Sequence, residues 1–165
     1  MFESWNPQDA LSHLVALALA YALALPIGWN REREERSAGV RTFPLVAMAA
    51  CGFVLIAAGV PGTTSEGQSR ILAGLMTGIG FVGGGAILKH GDRATGTATA
   101  ASLWATGAIG AAVGYGQLDI AVILSLVTFL DFNSEGLLQT DTRFGAGAGQ
   151  PWDRDNGDDG RTIGL

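Results

Sequence analysis

The stretch RILAGLMTGIGFVGGGAILKHGDRATGTATAASLW, residues 70–104, decides how this chain folds. Between Arg70 and Lys89 stand 18 residues without a formal charge, a length suited to a membrane-spanning helix. At roughly 1.5 Å per residue they cover about 27 Å, close to the hydrocarbon thickness of a bilayer. Six of them are glycine: Gly74, Gly78, Gly80, Gly83, Gly84 and Gly85. In water each would cost a helix about 1 kcal/mol relative to alanine. In lipid an unsatisfied backbone costs more, so the helix persists and glycine admits a close neighbour. Gly74, Gly78 and Gly85 fall on one stripe, and Gly80 and Gly84 on a second. The pattern predicts the packing hub of a helical membrane bundle, with Gly78→Leu expected to disrupt it.

Gly78-Ile-Gly80-Phe-Val-Gly83 matches a dinucleotide-binding fingerprint letter for letter. That fingerprint needs a strand before it, a helix after it and an acid about 20 residues on. These glycines lie inside an apolar run, and no acid falls between Asp92 and Asp119. The nucleotide reading is set aside.

Composition agrees with a membrane bundle. The 165 residues are 48% hydrophobic and only 15% charged, with 25 glycines, an unusual balance for a soluble domain. The net charge of −5 comes from acids concentrated in a few loops and the end of the chain. Ten Lys and Arg residues are scattered or sit beside acids, so no nucleic-acid surface is expected. Cys51 stands alone in an apolar run and reads as a buried thiol. The first ten residues hold no Lys or Arg, so the first apolar run is expected to be retained as a helix.

Taken in order, the apolar segments predict five spans, at about residues 10–28, 43–60, 71–88, 98–114 and 118–132. Pro26 should kink or end the first, and Thr42 suits an N-cap for the second. Ser102, Thr106, Gly110 and Gly114 recur every fourth residue, a second small stripe expected to pack on the third helix. The cluster from Arg31 to Thr42, with Glu32, Arg33 and Arg41, reads as a polar loop that sets topology or folds back as a lid. Arg70 and Thr99 belong to the same functional set at other helix ends. The first connection carries four arginines and the third Lys89 and Arg93, against Arg70 alone in the second. The positive-inside rule then puts the N-terminus outside and the C-terminus in the cytoplasm. The expected fold is all-α: a polytopic bundle of five transmembrane helices over residues 1–136, with a disordered Gly/Asp-rich tail at 137–165. Asp153-x-Asp155-x-Gly157 in that tail lacks the later ligands of a calcium loop, so no metal site is assigned.

Four ordered blocks carry a family resemblance: Ile27-Gly28-x-x-Arg31-Glu32-Arg33; Ala38-Gly39-Val40-Arg41-Thr42; Gly78-Ile79-Gly80-Phe81-Val82-Gly83-Gly84-Gly85-Ala86-Ile87-Leu88; and Gly96-x-x-Thr99-Ala100-Ala101-Ser102-Leu103-Trp104. The chain resembles the membrane domain of the MgtC/SapB family over about residues 23–116. The resemblance implies five spans, a bacterial inner-membrane location and links to growth in low magnesium, acid stress and intracellular survival, hence virulence. It also implies action on other membrane proteins, ATP synthase among them. Asn30 replaces an acid common in the family, which argues against a charge relay there. The family's soluble C-terminal domain has no counterpart in residues 137–165.

Two functions compete. The leading expectation is a non-enzymatic regulator that binds partner helices through glycine-rich faces within the lipid bilayer. The alternative is a small transporter or channel for Mg²⁺ or another ion, acting as a homo-oligomer. Such a path normally needs polar or ionisable groups at the midplane, where this chain offers Thr77, Ser102 and Thr106. No nucleophile–base pair or metal cluster recommends an enzyme, and no cofactor is expected; Mg²⁺ as ligand or cargo stays open.

Overall fold

A computed structural model describes residues 6–33, 39–90 and 93–142. Among them stand five helices: α1 (Pro7–Arg33), α2 (Thr42–Gly59), α3 (Ser65–Gly85), α4 (Thr97–Gly114) and α5 (Leu118–Thr142). Each expected span falls largely on one of them, although the third, placed at 71–88, overruns α3, which ends at Gly85, and reaches Leu88 of the first strand. The all-α reading holds, with one small addition: strands β1 (Leu88–His90) and β2 (Arg93–Thr95) pair antiparallel between α3 and α4, Leu88 opposite Thr95. α1 and α2 are long and apolar enough to cross a membrane.

Several boundaries differ from expectation, each for a local reason. α1 does not end at Pro26 but continues through it to Arg33, because the Arg- and Glu-rich segment that follows consists of good helix formers. Arg31, Glu32 and Arg33 therefore belong to a helix and not to a loop. Thr42 is the first residue of α2, whose cap is Arg41 in helical backbone geometry without a side-chain cap bond. α3 starts six residues before its expected boundary, because Thr64 caps it by accepting from Gly67 N at 3.2 Å. Arg70 is thereby drawn inside the helix. Thr99 lies in the first turn of α4. α5 runs past residue 132 to Thr142; residues 143–165, where most of the expected tail and the rejected calcium loop fall, lie outside the described residues.

Residues up to Phe132 form one compact unit, and 133–165 a second, of which the described part is the last turns of α5. In the first unit α4 is central, packed on α1, α2 and α3. Its small residues decide which neighbours come close. A Cβ on Gly110 would overlap the Ala47 carbonyl oxygen of α2 and stand 2.7 Å from the carbonyl carbon. One on Gly114 would stand 2.7 Å from Val54 Cβ and 3.0 Å from the Cys51 oxygen. Gly110 and Gly114, the later half of the Ser102–Thr106–Gly110–Gly114 stripe, thus close on α2 and not on α3, a correction of the sequence reading. The contacts with α3 come from residues between those positions: Gly107 receives Ile79, and Gly83 approaches the Ala100 oxygen, which would lie 3.1 Å from an added Cβ.

α3 is not the hub of the single chain. Added Cβ atoms at Gly74, Gly78, Gly80, Gly84 and Gly85 meet nothing within 4 Å. Helical periodicity identified the stripes, but it carries no information about which stripe meets a neighbour.

Candidate functional site

Helix directions follow from the contacts. α2 and α4 run parallel, since Ala47 meets Gly110 and Val54 meets Gly114. α3 runs antiparallel to α4, and α5 parallel to α1, since Ser125 Oγ donates to Leu23 O at 2.7 Å while Phe132 meets Arg31. The ends of α1, α3 and the residue-132 level of α5 therefore share one end of the bundle with the starts of α2 and α4.

At that end Arg31 is fully buried, its guanidinium carbon 3.4 Å from the centroid of the Phe132 ring. An arginine stays charged at any relevant pH, and burying it is costly unless its surroundings compensate. A stacked aromatic face supplies about 2 kcal/mol or more when water is excluded. Beside it, the connection before α2 lies on α1: a Cβ on Gly28 would stand 3.0 Å from Val40 Cα and 3.2 Å from Gly39 O. Gly39 O accepts from the Thr42 nitrogen at 3.0 Å, turning the chain into α2. Gly28 therefore has to lack a side chain for the Gly39–Thr42 segment to seat against the helix that carries Arg31.

The β-hairpin closes the same end. Gly96 has φ +86°, and a Cβ there would overlap the Ala86 oxygen, so only glycine makes this turn into α4 cheaply. The four sequence blocks thus meet in pairs, Gly28 with Gly39–Val40 and Gly83–Ala86 with Gly96–Ala100. Their spacing in sequence follows from these two close approaches.

The remaining residues of the expected polar set scatter. Thr99 is buried near the start of α4, and Thr42 is half-buried. Arg41 is exposed in the turn, and Glu32 and Arg33 complete the last turn of α1. Arg70 lies along α3, exposed and paired with Glu66 at 2.8 Å, an ordinary i,i+4 surface pair of small energetic value. Arg70 therefore stands apart from Arg41 and Thr99, at the other end of the bundle, and the side chains of Glu32 and Arg33 lie outside the described residues. Phe132 and Ser125 were missed by sequence reasoning. Ser125 stands four residues after Ala121, fully buried in the core, on an otherwise bulky apolar helix, and that spacing was the available signal.

Ser102 and Thr106 are buried, and their hydroxyls donate to carbonyls of their own helix, Ser102 to Ala98 and Thr106 to Ser102. Among the described residues, no three His, Cys, Asp or Glu side chains converge on a point where a metal ion could bind. One open surface is lined by apolar side chains and glycine: a groove of about 450 Å³ between α2 and α3, walled by Val46, Ala50, Phe53, Gly74, Gly78 and Val82 among others.

The MgtC family model matches residues 17–135. Protein SrpB of Synechococcus elongatus is 36% identical over 143 residues, covering 79% of each chain. Protein MgtC of Brucella abortus is 39% identical over 123 residues, 74% of this chain and 50% of that protein. Protein MgtC of Salmonella typhimurium is 36% identical over 115 residues, 70% of this chain and 48% of that one. The chain thus spans about half the length of the MgtC proteins it matches. No solved structure matches. Family match and apolar helices together support a membrane protein, and the chain belongs to the MgtC family.

Proposed function

We propose that this chain is a five-span protein of the bacterial inner membrane, N-terminus outside and C-terminus cytoplasmic. In this reading it is a non-enzymatic regulator tied to magnesium homeostasis and stress adaptation, acting through helix–helix contacts with membrane partners. The observation that carries it is the groove between α2 and α3, open and lined by apolar side chains, with Gly74 and Gly78 leaving bare backbone along one wall. Small residues at such a surface admit a partner helix closely. The buried hydroxyls of α4 are sealed in the core and satisfied by their own helix, which favours this reading over an ion path. The proposed topology rests on the arginines around the first connection, and an active cytoplasmic reporter fused after residue 165 checks it.

The discriminating experiment pairs transport with growth. Purified protein in liposomes should take up no Mg²⁺ above empty vesicles. In cells lacking their own copy, the wild-type chain should restore growth in low magnesium, and Gly78→Leu, whose Cβ meets nothing within 4 Å and whose branch would occupy the groove, should not. Uptake by the pure protein overturns the regulator in favour of the Mg²⁺ transporter.

A further inference from the structure

We propose that the cleft between α3, α4 and α5 seats one glycerophospholipid, its headgroup at the start of α3 and an acyl chain along α4; this rests on the membrane reading above. The cleft holds about 630 Å³. Its floor is α4 at Gly107, Ala108, Ala111 and Ala112, where small residues leave depth, and α3 and α5 form the walls.

The antiparallel register of α3 and α4, set by Gly107 against Ile79 and Gly83 against Ala100, places the first turn of α3 level with the α4–α5 turn. At that level the lining is Ser65, Gln68, Ser69, Tyr115 and Gln117; the Ser69 hydroxyl donates to Ser65 O at 2.9 Å, and the Ser65 and Tyr115 hydroxyls and the two carboxamides can donate to phosphate and ester oxygens. Deeper, the lining becomes Leu72, Met76, Ile79, Trp104 and Leu124. Met76 is 44% and Trp104 48% exposed, so this chain leaves the apolar part unfilled. Glu66 and Arg70 beside the polar end pair with one another at 2.8 Å, which leaves recognition to neutral donors and predicts little preference between zwitterionic and anionic headgroups.

Length selects the occupant. From Ser65 to Ile79 the wall rises about 21 Å at the helical repeat. One leaflet, taken as half of a bilayer of about 40–45 Å including headgroups, has the same depth. The polar end therefore stands at the headgroups when the apolar end reaches the midplane. The polar-to-apolar gradient also sets this cleft apart from the uniformly apolar groove between α2 and α3.

The test measures phosphorus and native mass of the full chain extracted into detergent and washed free of bulk lipid, then reloaded from phosphatidylethanolamine or phosphatidylglycerol vesicles. One phospholipid per chain should be retained, with either headgroup. Ala108→Phe fills the floor and Met76→Trp narrows the wall, and each should lower retention about tenfold, roughly the worth of one well-filled apolar contact region. Val122→Phe, outside the cleft, should change nothing; if Ala108→Phe does not fold, Met76→Trp carries the comparison. Absence of bound phospholipid, equal retention in all variants, or a bound fatty acid, detergent or peptide in its place overturns the assignment. Recovery of the chain in the soluble fraction of lysed cells instead overturns the membrane reading, a failure distinct from loss of lipid by a membrane-embedded protein.

Discussion

Replacing Gly110 by alanine probes the α2–α4 seam more directly than any other single change. The added Cβ overlaps the Ala47 oxygen and stands 2.7 Å from its carbonyl carbon and 2.9 Å from its Cα. Ordinary contact begins at 3.4 Å, and all three atoms are backbone, which no rotamer change moves aside. The helices must part by about 0.7 Å or more, loosening the neighbouring contact of Gly114 with Val54 and Cys51 as well. Overpacking typically costs about 1–3 kcal/mol, and rigid opponents put this case near the upper end. Alanine returns up to about 1 kcal/mol of helix propensity, which leaves a net loss of about 2 kcal/mol. For a unit of this size that is a fall of roughly 6–10 °C in Tm, read by thermal unfolding in detergent. Gly78→Ala is the control: its Cβ meets nothing within 4 Å, so its Tm should stay level or rise slightly. If Gly110→Ala unfolds with the wild type, or if Gly78→Ala loses as much, the assignment of the seam to α4 and α2 is wrong.

Four further outcomes are expected. Arg31→Ala removes a fully buried cation from the Phe132 face and leaves a hole, and should cost about 2–4 kcal/mol by denaturation, with Arg31→Lys only partly restoring it because an ammonium lacks the planar stacking surface. Coupling between Arg31→Ala and Phe132→Leu in a double-mutant cycle should reach about 1 kcal/mol, and strict additivity would remove the stacking interaction from the account. Gly96→Ala places a side chain at φ +86° against the Ala86 oxygen and should destabilise by about 1–3 kcal/mol in the same melt. Ser125→Ala loses the 2.7 Å bond to Leu23 O and should cost about 0.6–1 kcal/mol, detectable as faster amide exchange at the α1–α5 contact.

Much of the fold was legible because charge and turn residues punctuate the chain where helices end. Pro61-Gly62-Thr63-Thr64, the Lys89–Arg93 cluster and Gly114–Gly116 all fall at junctions. What remained hidden depends on neighbours that periodicity does not name. The small stripe of α4 was visible, but it was assigned to the preceding helix, and the partner of its two glycines, Gly110 and Gly114, proved to be α2. The hairpin was missed because two three-residue strands are too short to show alternation. Arg31 was singled out by its position among charges, yet its burial depends on Phe132, a hundred residues downstream, whose ring looks like any other apolar residue on α5. Pro26 was overread, because the residues that follow favour helix strongly enough to continue it.

The seam between α2 and α4 also sets a schedule for synthesis. Ala47 leaves the ribosome 63 residues ahead of Gly110, which at about 5–20 residues per second is a wait of roughly 3–13 s. Throughout that interval the face of α2 that will receive glycine backbone has no companion in its own chain, and α3 arrives first without covering it. The order of emergence and the order of contact are therefore different, and the bundle closes around its fourth helix only when α3 has already been laid aside.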